Sequence, residues 1–323
     1  MTRHRPRAVV LGGTGFVDAH VADAFADAGH DVLTVARRAP AGRRHRFTAL
    51  DLGGTDPETL ARLLDAEEPA AVVDATGSSW GLEPGRMAER CTRLSALLLD
   101  ALRHAACRPR LVHLGSVLEY GPQLADPRRT QAPDTEYGRA KLVATRAVLA
   151  AADAGDVDAV VLRVVNALGP GLPATSLLGR VAAALAPAAR SGVPARVTLA
   201  PLEARRDVVD VRDAAEAVLA AAGRPVTGRV LDIGRGEAVP VRTLVRLLVE
   251  VSGVPTTVVE HAGPAGWRAA TRWSYVDPAP AAAALGWRPR RDLRRAVTDF
   301  WHDELRRQPG EPAAAGTPRQ RAR

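Results

Sequence analysis

Along the first half of the chain, short apolar blocks rich in Val and Ala alternate with longer stretches in which apolar residues return every third or fourth position. The first rhythm is that of buried strands and the second that of amphipathic helices. Strands are read at 7–11 (R-A-V-V-L), 31–36 (D-V-L-T-V-A), 70–75 (A-A-V-V-D-A), 110–115 (R-L-V-H-L-G) and 158–165 (D-A-V-V-L-R-V-V), with another near 46–50 that ends at Asp51. Helices are read at 15–28, closed by Gly29, at 56–67, at about 86–106 and at 136–153. Asp56 caps the second of these, and Pro57 takes its first position, where a missing N–H does no harm. A Pro-containing loop, 121–134, precedes the last. Such alternation predicts a parallel sheet with helices on both faces, an α/β doubly wound fold.

Beyond residue 166 the alternation weakens. Gly and Pro punctuate 169–173, an Ala-rich helix fills 175–190, and short pieces at 205–211 and 228–233 read as returns to the sheet. The expected division is a main domain of 1–166 plus about 205–233, and a smaller, discontinuous C-terminal lobe of about 167–204 and 234–307. Residues 308–323 (Q-P-G-E-P-A-A-A-G-T-P-R-Q-R-A-R) lack periodicity and read as a disordered tail.

Composition narrows the classes of function. Aromatics make up only 4% of the 323 residues, so the core must rest on Ala, Val and Leu. A net charge of +8 raises the question of a nucleic-acid partner. Part of the excess sits at the two ends, at Arg3, Arg5 and Arg7 and at Arg319, Arg321 and Arg323. Elsewhere Arg is interleaved with Asp and Glu, with no basic stripe studded with aromatics and no zinc-finger spacing. No nucleic-acid partner is expected, and the basic balance suits a phosphorylated substrate equally well. Cys91 and Cys107 form neither a disulfide framework nor a metal motif, so no metal is expected. The basic start is followed by an apolar run cut at once by Gly12 and Gly13, which is not a signal peptide. No apolar stretch is long enough to span a membrane, and a reducing cytoplasm is the expected compartment.

Chemistry first appears in the turn after the first strand, V-V-L-G-G-T-G-F-V. Gly12, Gly13 and Gly15 would let the backbone approach a pyrophosphate, which then faces the N-terminus of a helix. Asp18 stands where the dinucleotide fingerprint has a third glycine. On the solvent side of the first helical turn it would be favourable. Turned inward, it would lie near the pyrophosphate and weaken binding. The second strand ends in Ala36-Arg37-Arg38 in place of the carboxylate that holds the ribose of NAD, and two guanidiniums suit a 2′-phosphate. NADP(H) is therefore favoured, with NAD(H) as the alternative. A solvated loop entry is the other reading of the two arginines.

Tyr137 and Lys141 stand at i and i+4 on one helix, after a strand that ends near Ser116. Hydride exchange at an alcohol carbon needs an acid/base at its oxygen. A free tyrosine is a poor base at neutral pH, and a lysine beside it favours the phenolate. Ser116 would hydrogen-bond the same oxygen.

In order along the chain, these features resemble an extended short-chain dehydrogenase/reductase of the NAD(P)-dependent epimerase/dehydratase type, which acts on nucleotide-linked sugars. The resemblance runs over about 7–305. After the Gly-rich loop it takes in Asp51-Leu52, Ala75-Thr76-Gly77, the turn Ser116 to Gly121, the pair Tyr137 and Lys141, L-R-V-V-N-A-L-G-P-G at 162–171, R-R-D-V-V-D-V-R-D-A-A at 205–215 and L-G-W-R-P at 285–289. It implies a dinucleotide-binding Rossmann domain with a substrate lobe. Gly12, Thr14, Gly15, Phe16 and Val17 would meet the cofactor from the loop, and Arg37, Arg38, Asp51 and Leu52 would meet its adenosine end. Ala75, Thr76, Gly77, Tyr137 and Lys141 would complete the site. Ser116, Asn166, Arg206 and Arg272 would hold a nucleotide-diphosphate sugar, although Asn166 and Asp207 also read as turn or capping groups. Members of the family often form homodimers by packing the helices at about 86–106 and 136–153 into a four-helix bundle. The run L-S-A-L-L-L-D-A-L at 94–102 is compatible with such an interface, and equally with a helix buried on the sheet.

A 4,6-dehydratase carries acidic residues directly after the catalytic Ser/Thr. Val117 and Leu118 stand there instead, and Glu119 comes one place too late if the strand continues. The expected activity is an NADPH-dependent ketoreductase of a nucleotide-linked keto-deoxysugar. An NAD-dependent nucleotide-sugar epimerase is the alternative, followed by a non-catalytic NADP-binding protein. Carbonyl substrates outside the sugar nucleotides also stay open.

Overall fold

A computed structural model describes residues 5–39, 44–77, 84–121, 131–261 and 275–307. The predicted tail 308–323, Arg272 and most of the loop 121–134 lie outside the described residues.

The first half follows the sequence pattern. It contains β1 (Arg7–Leu11), α1 (Phe16–Asp27), β2 (Asp31–Ala36), β3 (Arg46–Ala49), α2 (Pro57–Glu67), β4 (Ala71–Asp74), α3 (Pro84–His104), β5 (Arg110–Ser116), α4 (Glu136–Asp153) and β6 (Asp158–Val164). Local chemistry sets the ends of several helices. The Asp56 carboxylate accepts the Thr59 N–H at 2.7 Å ahead of Pro57, and the Thr135 hydroxyl accepts the Gly138 N–H at 3.0 Å at the start of α4.

The second half runs β7 (Asn166–Leu168), α5 (Leu177–Ser191), β8 (Ala195–Leu199), β9 (Arg205–Arg206), β10 (Val208–Asp210), α6 (Val211–Ala222), β11 (Val230–Ile233), β12 (Val239–Pro240), α7 (Val241–Ser252), β13 (Thr256–Glu260), α8 (Ala279–Leu285) and α9 (Leu293–Arg306). Of the two expected returns to the main sheet, only the second occurs. β11 pairs with β6, whereas residues 205–210 split into β9, paired antiparallel with β12, and β10, paired parallel with β7. Segments this short carry no periodicity of their own, so tertiary partners decide where they pair.

Among the described residues the main sheet has seven strands, all parallel, in the order β11-β6-β5-β4-β1-β2-β3. The winding reverses between β1 and β4, and ligands of doubly wound sheets sit beyond the strand ends at such a reversal. Both faces are buried. Ala8 and Val10 point to a core with Val21 and Phe25 of α1 and Ala214 and Val218 of α6. Val9 and Leu11 point to the opposite core, with Leu60 and Leu64 of α2 and Leu98 and Leu102 of α3. A third core joins Leu185 of α5, Leu248 of α7 and Phe300 and Trp301 of α9.

The apolar run of α3 is consumed inside the chain. Leu94, Leu97, Leu98, Leu99 and Leu102 are all buried against the sheet and the neighbouring helices, so this run no longer points to a second subunit. The L-G-W-R-P segment is also accounted for by packing. The Trp287 indole N–H donates to the Asp213 carbonyl at 2.9 Å, and the buried Asp213 carboxylate accepts the amides of Arg290 and Arg291 at 2.9 and 2.8 Å. Among the described residues no helix is long and apolar enough to cross a membrane.

Candidate active site

The turn from β1 to α1 lies at the sheet's reversal. Gly12 has φ +95°, a conformation that favours glycine, and its amide donates to Val35 O on β2 at 2.9 Å. A Cβ on Gly13 would stand 2.6 Å from the Thr34 Cβ, so the loop lies flat on β2 only because that position is bare. Phe16 and Val17 open α1, where the first amides lack intrahelical partners. A turn in which Gly12, Gly13 and Gly15 themselves carry no side chains, set at a helix N-terminus, fits a dinucleotide pyrophosphate.

Asp18 turns inward and not to solvent. It is only 6% exposed, and its carboxylate accepts the Gly15 N–H at 3.2 Å. A Cβ on Gly15 would meet its Oδ2 at 2.6 Å, so the carboxyl occupies the underside of the turn. Burial pushes this carboxyl up to about 8, against the opposing pull of the Gly15 amide and of Lys141.

Across the reversal, Ala75, Thr76 and Gly77 follow β4, and the Ala75 amide donates to Leu11 O at 3.2 Å. Lys141 reaches into this loop from α4. Its ammonium donates to Thr76 O at 3.0 Å and to Leu114 O at 2.9 Å, tying the loop after β4 to the end of β5. One helical turn earlier, the Tyr137 hydroxyl donates to Gly77 O at 3.4 Å. Ser116 ends β5 with its hydroxyl accepting the Leu118 N–H at 3.2 Å. Two elements, β5 and α4, thus bring Ser116, Tyr137 and Lys141 to the carboxyl ends of β4 and β5.

The electrostatics adjust one expectation. Burial raises the Tyr137 phenol above its usual range, and the ammonium of Lys141 pulls it back without cancelling the rise. The phenol is therefore held protonated. Burial presses on Lys141 in turn, but the neighbouring Tyr137 and Asp74 more than offset it and the ammonium is kept.

Two buried carboxylates support the site; the sequence reading passes over Asp74 and places Glu119 on a continuing strand. At the end of β4, Asp74 Oδ2 accepts the His113 Nδ1–H at 2.8 Å, while Oδ1 accepts the amide and hydroxyl of Thr76 at 3.1 and 2.6 Å. Burial alone would raise Asp74, but the hydrogen bond and charge of His113, with Lys141, hold it well below the usual carboxylate range. Asp74 thereby fixes the loop whose carbonyl receives Lys141. A charge inside A-V-V-D, facing a histidine inside L-V-H-L, was the available signal.

Glu119 is the second. Residues 117–119 form a turn of 3₁₀ helix, not a continuing strand, and the Glu119 carboxylate is fully buried. It accepts from the Ser116 amide at 2.8 Å, the Thr145 hydroxyl of α4 at 3.1 Å and Arg163 Nε of β6 at 2.7 Å. It is thus taken up in structural bonds, while Val117 is buried and apolar.

The predicted substrate side is assembled in part. Asn166 opens β7, exposed, and its amide donates to Asp207 O at 3.2 Å across the pairing with β10. Arg206 precedes it on β9, lowered from the usual arginine range by burial and supported by the charge of Asp134, just ahead of α4. Asp207 is a structural clasp whose carboxylate accepts the amides of Arg235, Gly236 and Val276 at 2.9, 2.8 and 3.3 Å. Where the sequence reading expects the adenosine, Arg37 and Arg38 are exposed beyond β2 and form no ion pair among the described residues. Asp51 accepts the Gly53 amide at 3.1 Å, and Leu52 is buried beside it.

The comparisons with known proteins agree with this geometry. The model described as the NAD dependent epimerase/dehydratase family matches residues 8–234. A dTDP-6-deoxy-L-talose 4-dehydrogenase (NAD(P)(+)) from Kitasatospora kifunensis is 44% identical over 300 residues, covering 91% of this chain and 94% of its own. A GDP-6-deoxy-D-mannose reductase from Pseudomonas aeruginosa is 26% identical, over 93% and 98% of the two chains. The structure of RMD from Pseudomonas aeruginosa complexed with NADPH covers 94% of this chain and 100% of its own, with a TM-score of 0.78 at 23% identity, a likeness of fold alone. With a glycine turn at the reversal of a doubly wound sheet and a Ser, Tyr and Lys gathered beside it, the chain belongs to the NAD-dependent epimerase/dehydratase family of extended short-chain dehydrogenases/reductases.

Proposed function

We propose that the chain is an NADP(H)-dependent reductase of a nucleotide-linked 4-keto-6-deoxysugar, the reverse of the oxidation for which its Kitasatospora relative is named. The observation that carries this reading is the convergence of Ser116 and a protonated Tyr137 at the carboxyl ends of β4 and β5, with Lys141 beneath them. The nicotinamide, when bound, supplies the hydride. The Ser116 hydroxyl polarises the sugar ketone. The Tyr137 phenol gives its proton to the ketone oxygen as the carbon becomes an alcohol. Lys141 steadies the phenolate left behind, held in place by the carbonyls of Thr76 and Leu114.

Glu119, the carboxylate that accepts the Ser116 amide, is bound to Arg163 and so unavailable for proton transfer at neighbouring sugar carbons. That favours reduction over dehydration. The exposed Arg37 and Arg38 support a 2′-phosphate and so NADPH. Asn166 and Arg206 would meet the nucleotide diphosphate, and Arg272 would join them. The proposal includes a homodimer through the outer face of α4, where Val143 is 54% exposed.

The test is to ask what cofactor copurifies, then to follow NADPH oxidation with a panel of keto-sugar nucleotides. Rapid oxidation with a 4-keto-6-deoxysugar nucleotide is expected, with Tyr137→Phe slower by about 10²- to 10⁴-fold. Wild-type turnover by Tyr137→Phe would rule out the assigned acid. Stoichiometric bound NAD, with activity in the absence of added cofactor, would select an epimerase instead.

A further inference from the structure

Asp18 takes no part in the reduction proposed above, yet its carboxyl lies beneath the turn where that reading puts the cofactor's pyrophosphate. The side chain fills the space between Gly12 and Gly15, with Oδ2 2.9 Å from a Cβ built on Gly12 and 2.6 Å from one on Gly15. Its hydrogen bond from the Gly15 amide is to the underside of the cradle itself. The charged groups that face it from other elements are Lys141 of α4 and Asp74 of β4. Lys141 is committed to the carbonyls of Thr76 and Leu114, and Asp74 to His113 and Thr76. On its own helix, His20 is held by Pro170 O, and Asp23 by Arg44 and His45. No cation pairs directly with Asp18 among the described residues.

An ionised carboxylate in this place would set a second anion against the pyrophosphate in a water-poor setting, where like charges repel strongly. A neutral acid would not, and it brings an O–H that can donate. We propose that Asp18 is a cofactor-positioning residue that must be protonated for the dinucleotide to bind, so that binding and proton uptake at this carboxyl are coupled. The inference rests on the cofactor reading above. Burial pushes the carboxyl up to about 8, and an anion bound beside it would raise it further. By linkage, affinity then falls as the medium becomes alkaline.

The experiment measures NADPH and NADH dissociation constants by fluorescence from about pH 6 to about pH 10, for the wild type and Asp18→Asn. It adds calorimetry at about pH 9 in two buffers of different ionisation enthalpy to count protons. For the wild type, a flat acid limb is expected, steepening toward about tenfold weaker binding per pH unit above pH 8, with uptake approaching about one proton. The Asn variant should lack both. Asp18→Gly, which restores the fingerprint glycine, should behave as Asn does and covers the case in which Asn disturbs the turn. Equal slopes in wild type and variants, or no proton uptake by the wild type, would overturn the role of Asp18 while leaving the cofactor site intact. Failure of either dinucleotide to bind the wild type at any pH would instead remove the cofactor reading on which it rests.

Discussion

Removing Glu119 should cost more than any other single truncation near the site, because one carboxylate closes three bonds at once. The Glu119 side chain is 0% exposed and the Arg163 side chain 4%. In Glu119→Ala, Arg163 would lose its ion pair and keep the Tyr120 ring, 4.5 Å from its central carbon, and the charge of Asp232, while its Nη2 already lacks a partner among the described residues. Breaking a buried pair of this kind costs about 3–5 kcal/mol. The Ser116 amide loses its acceptor as well, which adds about 1–3 kcal/mol if water does not enter. The two losses overlap, so a net loss of about 4–6 kcal/mol is expected, enough to bring a domain of ordinary stability close to unfolding. Urea or guanidinium unfolding at neutral pH, with the slope compared between variants, reads the change directly. Arg163→Met alone should cost several kcal/mol too, while Glu119→Leu with Arg163→Met should recover much of the loss, since both desolvated charges leave together. A loss below about 1 kcal/mol in Glu119→Ala, or additive single losses in the double variant, would show that the pair does not hold the site as described.

Two further expectations concern the ends of the cofactor site. If Arg37 and Arg38 read the 2′-phosphate as proposed, replacing both by Ala should weaken NADPH binding by about 2–4 kcal/mol through loss of charge-assisted bonds and leave NADH nearly unchanged. Parallel NADPH and NADH titrations decide the matter, and equal losses for both would argue that the arginines do not read the 2′-phosphate. Asp18→Asn should change how stability varies with pH in the absence of cofactor. The folded carboxyl titrates near 8 and the ordinary value is 3.8, so its contribution is intact below 3.8 and is lost as pH rises through 8. Between about pH 5 and pH 7.5, the wild type should lose roughly 3 kcal/mol relative to Asn, seen by denaturant unfolding across pH. Parallel pH profiles for the two proteins would contradict the buried, upshifted carboxyl.

The sheet was legible wherever a segment carried its own signals. Asp56 with Pro57 marked the start of α2, and the Val-rich blocks at 31–36 and 158–164 are long enough to declare themselves. The order of Ser116, Tyr137 and Lys141 along the chain was also enough to place them at the same strand ends. What escaped depends on partners distant in sequence. The inward turn of Asp18 is a matter of helix phase relative to Gly15, which the residue type alone does not set. Glu119 was assigned a strand phase, but the Ser116 hydroxyl caps a 3₁₀ turn and swings the carboxylate toward Arg163. The leucine run on α3 suits a subunit interface and a helix buried on the sheet equally, and only its packing against α2, α4 and the sheet distinguishes them.

The core beneath β1 also has a consequence for how the chain is made. Ala8 and Val10 share one apolar cluster with Val276, Ala281, Leu285 and Trp287, more than 260 residues later. A nascent chain that already carries every strand of the main sheet still presents an open apolar seam along α6, because α8 and the Trp287 segment that seal it are yet to emerge. Contacts so far apart in sequence close slowly, and the interval before closure is when such a seam attracts other chains. Chains arrested shortly before residue 276 should therefore depend on chaperones more than the presence of all seven strands would suggest.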